Sequence, residues 1–320
     1  MLCINLDNRD PFFCLAAEEY LLKNFREDIF MLWQSSDTVV IGKHQNALGE
    51  IDYKFVKGNN IKLARRISGG GAVYHDSGNL NFTFIKTVQN SSEINFDIFT
   101  QPLIDSFAKL NLTVTISGHN NLMTGGRKIS GNAQHIYKNR VLHHGTLLFN
   151  SDLKNLGLSL KAADKVRYFS KGVKSIRSEV VNIADHLHNK WNINDFRNFL
   201  IKEQLQKRNS VIYELTQNDN LAVNNLADKK FRTWEWNYGY SPAYDFVNEV
   251  SVGGFELNIK LHVEKGIIIR SEVKGEYFSV QESAYLENHL QGKRHYFEAI
   301  KSVLQSIRGE VTDDLVFSFF

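Results

Sequence analysis

The sequence predicts an α+β protein in which one large module is followed by a small α/β one. Three observations carry this expectation. A chain of 320 residues with 42% hydrophobic and 12% aromatic content can bury a full core and still form a second, smaller domain. Helical apolar spacing and period-2 alternation both occur along it, with no internal repeat to order them. The composition then shifts after Trp234-Glu235-Trp236.

In order, residues 13–25 (FCLAAEEYLLKNF) place apolar side chains at helical spacing. Residues 30–33 and 39–41 flank a Gln-Ser-Ser-Asp turn and read as a hairpin. Residues 61–64 and 79–85 read as strands. In the second, Leu80, Phe82 and Phe84 alternate with Asn79, Asn81 and Thr83, which implies one buried sheet face. Residues 97–110 read as a helix with Asp97 as its N-cap, and 127–137 with 141–149 as a hairpin around Lys138-Asn139-Arg140. Helices return at 194–207 and 218–231. The Gly253-Gly254 pair opens short strands at 255–263 and 266–273, followed by a helical segment near 280–305. The boundary is placed so that residues 1–246 form a catalytic module and 247–320 an accessory one.

Charge and cysteine use exclude several classes. Lys and Arg number 38 against 35 for Asp and Glu, and a net charge of +3 does not announce a nucleic-acid partner. From residue 250 onward 8 basic residues face 10 acidic ones, so the tail is negative and the surplus of positive charge lies in the first module. Cys3 and Cys14 form no disulfide or zinc pattern. No apolar stretch suits a signal peptide, and nowhere do 18 apolar residues run together. The expectation is a soluble cytoplasmic protein with no membrane partner.

Four segments carry residues suited to chemistry. RRISGGGAVYHDSGNLNFTF (65–84) sets two arginines and a triple glycine between two strands. Such glycines let backbone N–H groups approach anionic oxygens, and Arg65 and Arg66 offer forked donors to a carboxylate or phosphate. The string is neither a P-loop nor a Rossmann fingerprint. In GGRKISGNAQ (125–134), alternation puts Lys128, Ser130 and Asn132 on one strand face and Ile129 on the other. HHGTLLF (143–149) lies on the return strand. A three-residue loop at 138–140 would set 132 opposite 146 and 134 opposite 144, bringing His144 and Thr146 to the Lys128 face, whereas a two-residue loop would reverse this. His143 and His144 have no carboxylate or thiolate at ligand spacing, so no resident metal is expected. Finally, 161–177 gathers Lys161, Lys165, Arg167, Lys171, Lys174 and Arg177 around one acid, Asp164, a composition suited to a triphosphate or pyrophosphate.

Taken together and in this order, these segments, with KGVKSIRSEVVNI (171–183) and WEWNYG (234–239), resemble the lipoate-protein ligase A family over nearly the whole chain. The resemblance implies a catalytic fold like that of biotin protein ligases and the class II aminoacyl-tRNA synthetase core, a mixed sheet packed with helices, with a small C-terminal domain appended. It implies that Lys128 is the catalytic residue, contacting both the lipoate carboxylate and the α-phosphate. ATP would be held by Arg66, Gly71, Ala72, Val73, Tyr74 and Lys128, with Mg²⁺ on its phosphates. Lipoate would be held by Lys128, Ser68, Gly70 and His144. The implied reaction is lipoate adenylation, then transfer to a lysine on lipoyl domains of 2-oxoacid dehydrogenase E2 subunits or on the glycine-cleavage H protein. The alternatives are a cysteine-independent lipoyl or octanoyl transferase and a degenerate lipoyl-adenylate-binding protein. Cys3 and Cys14, the only candidates for a thioester, lie beside neither the Lys128 nor the His144 motif. One departure stands out: His119-Asn120-Asn121 occupies the place where the family usually reads Arg-Asn-Asp.

Overall fold

The structure, a computed structural model, describes residues 1–90, 94–118, 120–160 and 167–320. The chain forms two compact units: Met1–Lys43, Leu63–Leu156 and Ser175–Arg232 make the first, and His44–Lys62, Gly157–Lys174 and Thr233–Phe320 make the second. The early strands are β1 (Leu2–Asn5), β2 (Ile29–Trp33), β3 (Thr38–Ile41), β4 (Lys62–Arg65), β5 (Val73–His75) and β6 (Asn79–Thr87). They are followed by β7 (Thr115–Ser117), β8 (Asn121–Thr124), β9 (Arg127–Tyr137), β10 (Arg140–Leu148), β11 (Tyr168–Ser170) and β12 (Val211–Ile212). The last three are β13 (Tyr244–Val252), β14 (Phe255–Glu264) and β15 (Ile267–Gly275). Helices α1 (Pro11–Asn24), α2 (Tyr53–Gly58), α3 (Asp97–Ala108), α4 (Leu153–Ser159) and α5 (Ile193–Leu205) precede α6 (Gln217–Leu226), α7 (Val280–Leu290), α8 (Phe297–Arg308) and α9 (Asp313–Phe317). None of the described helices is long and apolar enough to cross a membrane.

The first unit is built on an eight-stranded sheet in the order β12-β1-β2-β6-β10-β9-β8-β7. It is mixed: β1 runs parallel to β2 and β12, and the other pairings are antiparallel. Both faces of its central strand are buried, where the sequence implied one. Leu80, Phe82 and Phe84 pack with Phe99 and Phe107 of α3 and Phe196 of α5 in the main core. Asn79, Asn81 and Thr83 face the opposite way and are equally buried. α1 packs there against β6 and β10, starting at Pro11 with Asp10 as its cap, and is buried on most sides.

Other expectations are corrected. The strands at 29–33 and 38–41 exist but do not pair with each other; β2 joins the large sheet and β3 lies between β4 and β5 in a three-stranded one. Asp97 is the first residue of α3 and not its cap; Asn95 Oδ1 accepts from Ile98 N at 3.0 Å instead. The β9–β10 loop has two residues, Lys138 and Asn139, because Arg140 already pairs with Tyr137 and Thr87. The Arg140 guanidinium is drawn into the sheet by the carbonyls of Arg26 (2.7 Å) and Glu27 (2.8 Å), while Lys138 takes the left-handed conformation, φ 54°. The segment near 280–305 is two helices, α7 and α8, parted by a turn at Gly292, φ 75°.

The second unit is an antiparallel sheet in the order β11-β13-β14-β15, with α7 on β15 and α8 against α7 and α9. An aromatic cluster of Tyr53, Phe317 and Phe320 with His295, which receives the Tyr244 hydroxyl at 2.7 Å, closes its core.

His75 on β5 is buried edge-on to the Trp33 ring, with the Ser35 hydroxyl 3.2 Å from Nδ1. Burial, reinforced by the charge of Arg66, pushes its pKa down from 6.5 to about 3. Between those values the unfolded chain binds a proton that the folded chain refuses, so stability is lost as pH falls through that window. The urea midpoint should fall as pH is lowered from 6.5, with a shallower slope for His75→Gln; identical slopes would contradict the assignment.

Candidate functional site

The polar face of the eight-stranded sheet carries the candidate site. The loop from Arg66 to Ala72 folds over it, and neither arginine of the motif is free to extend into solvent. Arg65 is fully buried and donates to the carbonyls of Gly42 (3.1 Å) and Lys43 (3.0 Å). Arg66 donates to Val40 O (3.0 Å), Gly69 O (2.6 Å), Gly71 O (2.7 Å) and the Ser68 hydroxyl (3.1 Å), so the loop is wound around its guanidinium. The loop also passes close to β3: a Cβ on Gly42 would lie 2.2 Å from Gly70 O, so only glycine fits there. Ala72 N donates to Ser175 Oγ at 2.8 Å, which ties Ser175 to the loop. Tyr74 is buried within the β3–β5 ladder opposite Val39.

Below the loop lies a buried chain of hydrogen bonds. Trp33 Nε1 donates to Thr83 Oγ1 (3.1 Å), and Thr83 donates to Glu18 Oε1 (2.6 Å). His144 Nδ1 sits 2.9 Å from both Glu18 oxygens, and its Nε2 is 2.6 Å from Ser68 Oγ, which receives Arg66 Nε. Glu18 was not picked out from the sequence. The available signal was a charged pair, Glu18-Glu19, within a helix apolar on nearly all sides, where at least one carboxylate has to be buried. Thr83, Trp33 and Ser175 were likewise not singled out.

The two-residue hairpin overturns one expectation and a bulge restores its consequence. His144 pairs with Ala133 and His143 with Gln134. It is therefore His143, stacked on Phe99 and bonded to Asn132 and Gln134, that shares their face. Regular alternation would leave Lys128 on that core face too. However, β8 pairs Leu122 with Ser130 and Met123 with Lys128, which makes Ile129 the extra residue of a β-bulge. Ile129 turns into the core, and Lys128 comes to the side of Gly131, Ala133 and His144. Its Nζ lies where a Gly131 side chain would begin, 2.8 Å from an ideal Cβ. Ser130 and Asn132 stay together on the core side, bonded at 3.3 Å.

Lys128 is half-buried, and among the described residues its Nζ has no hydrogen bond or ion pair. Burial, and then the nearby Arg66 charge, hold its pKa below the ordinary lysine value. Arg66 is itself pushed down to about 10 by burial, against the pull of Glu18. Where the ladder with β10 ends, β9 takes a new neighbour: Lys128 N donates to Glu179 O and Val181 N to Lys128 O. Asn121 pairs with Gly131 across the β8–β9 ladder, on the Lys128 side. The site thus offers two crowded cations, a glycine loop with N–H groups, and a polar floor, an arrangement suited to bringing two anions together.

Some motif residues fall elsewhere. Lys161 and Lys165 of the basic segment, and His119, lie outside the described residues. Lys171 and Lys174 belong to the second unit, and Ser175 onward to the first. Both cysteines are buried and their thiol pKa values are raised by burial, which disfavours the thiolate form at both positions.

The chain also matches known proteins over most of its length. The model of the lipoyl protein ligase A/B catalytic domain matches residues 10–205, and that of the bacterial lipoate protein ligase C-terminus matches 241–315. The chain is 39% identical to lipoate-protein ligase 1 of Staphylococcus aureus, covering 92% of this chain and 90% of that one. It is 37% identical to lipoate-protein ligase LplJ of Bacillus subtilis, covering 96% and 94%. Among solved structures, a bipartite lipoate protein ligase of Thermoplasma acidophilum, studied with its E2 lipoyl domain, superposes with a TM-score of 0.65 at 28% identity, over 75% of this chain and 96% of that one. Lipoate-protein ligase A bound with ATP superposes at 0.64 with 27% identity, over 75% and 98%. P. falciparum LipL1 in complex with lipoate superposes at 0.63 with 25% identity, over 99% and 98%. With both domain models matched in order and identities of this size over nine-tenths of each chain, this chain belongs to the lipoate-protein ligase family.

Proposed function

We propose that the polar sheet face activates lipoate with ATP and passes the lipoyl group to a lysine of a lipoyl domain. The observation that carries this reading is the bulge-directed Lys128 ammonium, beside Arg66 and the glycine loop. A carboxylate and a triphosphate repel each other, and a fixed cation between them removes that barrier. In the first step a lipoate carboxylate oxygen attacks the α-phosphorus and the bond to the β-phosphate breaks, releasing pyrophosphate. In the second the neutral amine of the acceptor lysine attacks the acyl carbon, AMP leaves and the amine proton goes to solvent. Lys128 neutralises charge in both.

Arg66 and the backbone of Gly71, Ala72, Val73 and Tyr74 bind ATP in this reading, with Arg66 exchanging loop carbonyls for phosphate oxygens. Ser68, Gly70 and His144 line the lipoate tail. Mg²⁺ accompanies the phosphates of ATP. The acceptors are lipoyl domains of 2-oxoacid dehydrogenase E2 subunits or the glycine-cleavage H protein, and the setting is the cytoplasm. Residues 1–246 act as the catalytic module and 247–320 as an accessory one.

Lys128→Ala should lower pyrophosphate release from lipoate and ATP by about 10²- to 10³-fold while leaving the thermal midpoint nearly unchanged. Near-wild-type release would remove Lys128 from the chemistry. Gly131→Ala tests the same point without touching the lysine. Its Cβ would meet only the flexible end of Lys128, so the protein should fold while the displaced ammonium lowers the rate; unchanged turnover would contradict this placement.

Asn121→Asp adds a carboxylate on the Lys128 side, which favours the ammonium form. It should keep or raise the rate of lipoyl-AMP formation, and Asn121→Ala should lower it; the reverse ranking would show that the site has been rebuilt there. A Cys3→Ala/Cys14→Ala protein should retain full activity, and loss of turnover at unchanged stability would favour a thioester transferase.

A further inference from the structure

Glu18 lies at the middle of α1 with no exposed surface, and among the described residues the Thr83 hydroxyl and His144 Nδ1 reach it. The direction of each hydrogen in the chain follows from its ends. Trp33 Nε1 and Arg66 Nε can only donate. The first gives its hydrogen to Thr83, leaving the Thr83 hydroxyl to donate to Glu18 Oε1. The second shares its hydrogen between Ser68 Oγ and Gly69 O, each at 3.1 Å. His144 Nδ1 stands equally far, 2.9 Å, from the two oxygens of Glu18, the geometry of an N–H shared by a carboxylate and not of a protonated acid bonded through one oxygen. Nε2 is then the acceptor of the Ser68 hydroxyl at 2.6 Å. The hydrogens of five side chains, Trp33, Thr83, Arg66, Ser68 and His144, thus run toward one buried charge, and Ser68 belongs to the loop wound around Arg66.

We propose that Glu18 is a positioning residue for the ligase reaction: through the His144 tautomer it aims Ser68, and through Ser68 it holds the Arg66 loop in its substrate-binding shape. The proposal rests on the reading of that loop as the substrate site. Replacing the carboxylate by an amide of the same size removes the charge and, where its N–H faces the ring, reverses the chain. An amide N–H of Gln facing His144 requires Nδ1 to accept, which moves the ring hydrogen to Nε2. Ser68 would then receive hydrogens from both His144 and Arg66 and turn its own hydrogen away, and the buried counter-charge to Arg66 would be gone.

The test combines ¹⁵N NMR of the His144 ring with lipoate-dependent pyrophosphate release in full-length protein. The wild type should show His144 protonated at Nδ1, and Glu18→Gln at Nε2. Glu18→Gln should lose about tenfold to hundredfold in turnover with a raised KM for ATP, and Glu18→Asp, which keeps the charge, should keep the Nδ1 tautomer and regain part of the rate. A wild-type ring protonated at Nε2 overturns the proposal even if Glu18→Gln fails to fold. So does full turnover in a folded Glu18→Gln protein whose tautomer has inverted. Absence of pyrophosphate release in the wild type would instead count against the ligase reading, while the wild-type ring signal still tests the hydrogen-bond chain.

Discussion

Burying two cations against one face of a sheet is the constraint from which the rest of the site follows. A desolvated guanidinium or ammonium is costly unless charge or oriented dipoles surround it. Arg66 is accommodated by winding its own loop around it, so that the carbonyls of Gly69 and Gly71 face inward, and by Glu18 two hydrogen-bonded residues away. Lys128 has no such partners among the described residues, and its ammonium lies over a glycine. The ring of donors around Glu18 and the vacant side of Gly131 are two answers to the same electrostatic problem. The first keeps one cation satisfied until phosphate oxygens replace its loop carbonyls. The second leaves one available to substrate anions.

Much of this was legible in the residue order. The glycine-rich string, Lys128 on a strand and the return strand with His144 were all visible, because each depends on local spacing. Which face each residue takes was not legible, since two departures from ideal geometry act together. Arg140 is pulled into β10 by the Arg26 and Glu27 carbonyls, and this shortens the hairpin loop and reverses the register. Ile129 forms a bulge, which reverses it again at Lys128. The expectation that His144 and Lys128 share a face is met, though by a route that period-2 alternation does not contain.

The fold shows the same division. Long periodic segments such as α1, β6, β9 and α5 lay close to their expected bounds. Partner choice did not follow from sequence: β2 and β3 are four residues apart yet enter different sheets, because β2 completes the large sheet beside β6. Glu18 escaped notice for a related reason. A carboxylate in a helix normally marks its solvent side, and only the burial of α1 on most sides makes this one a floor of the site.

The central claim is that this polar face joins lipoate to a protein lysine through an adenylate. Its most direct test is the intact mass of a purified lipoyl-domain acceptor after incubation with the protein, lipoate and Mg-ATP. The account predicts addition of one lipoyl group, lost when ATP is omitted and lost when the acceptor lysine is replaced. An acceptor that stays unmodified, or that is modified without ATP, would contradict it.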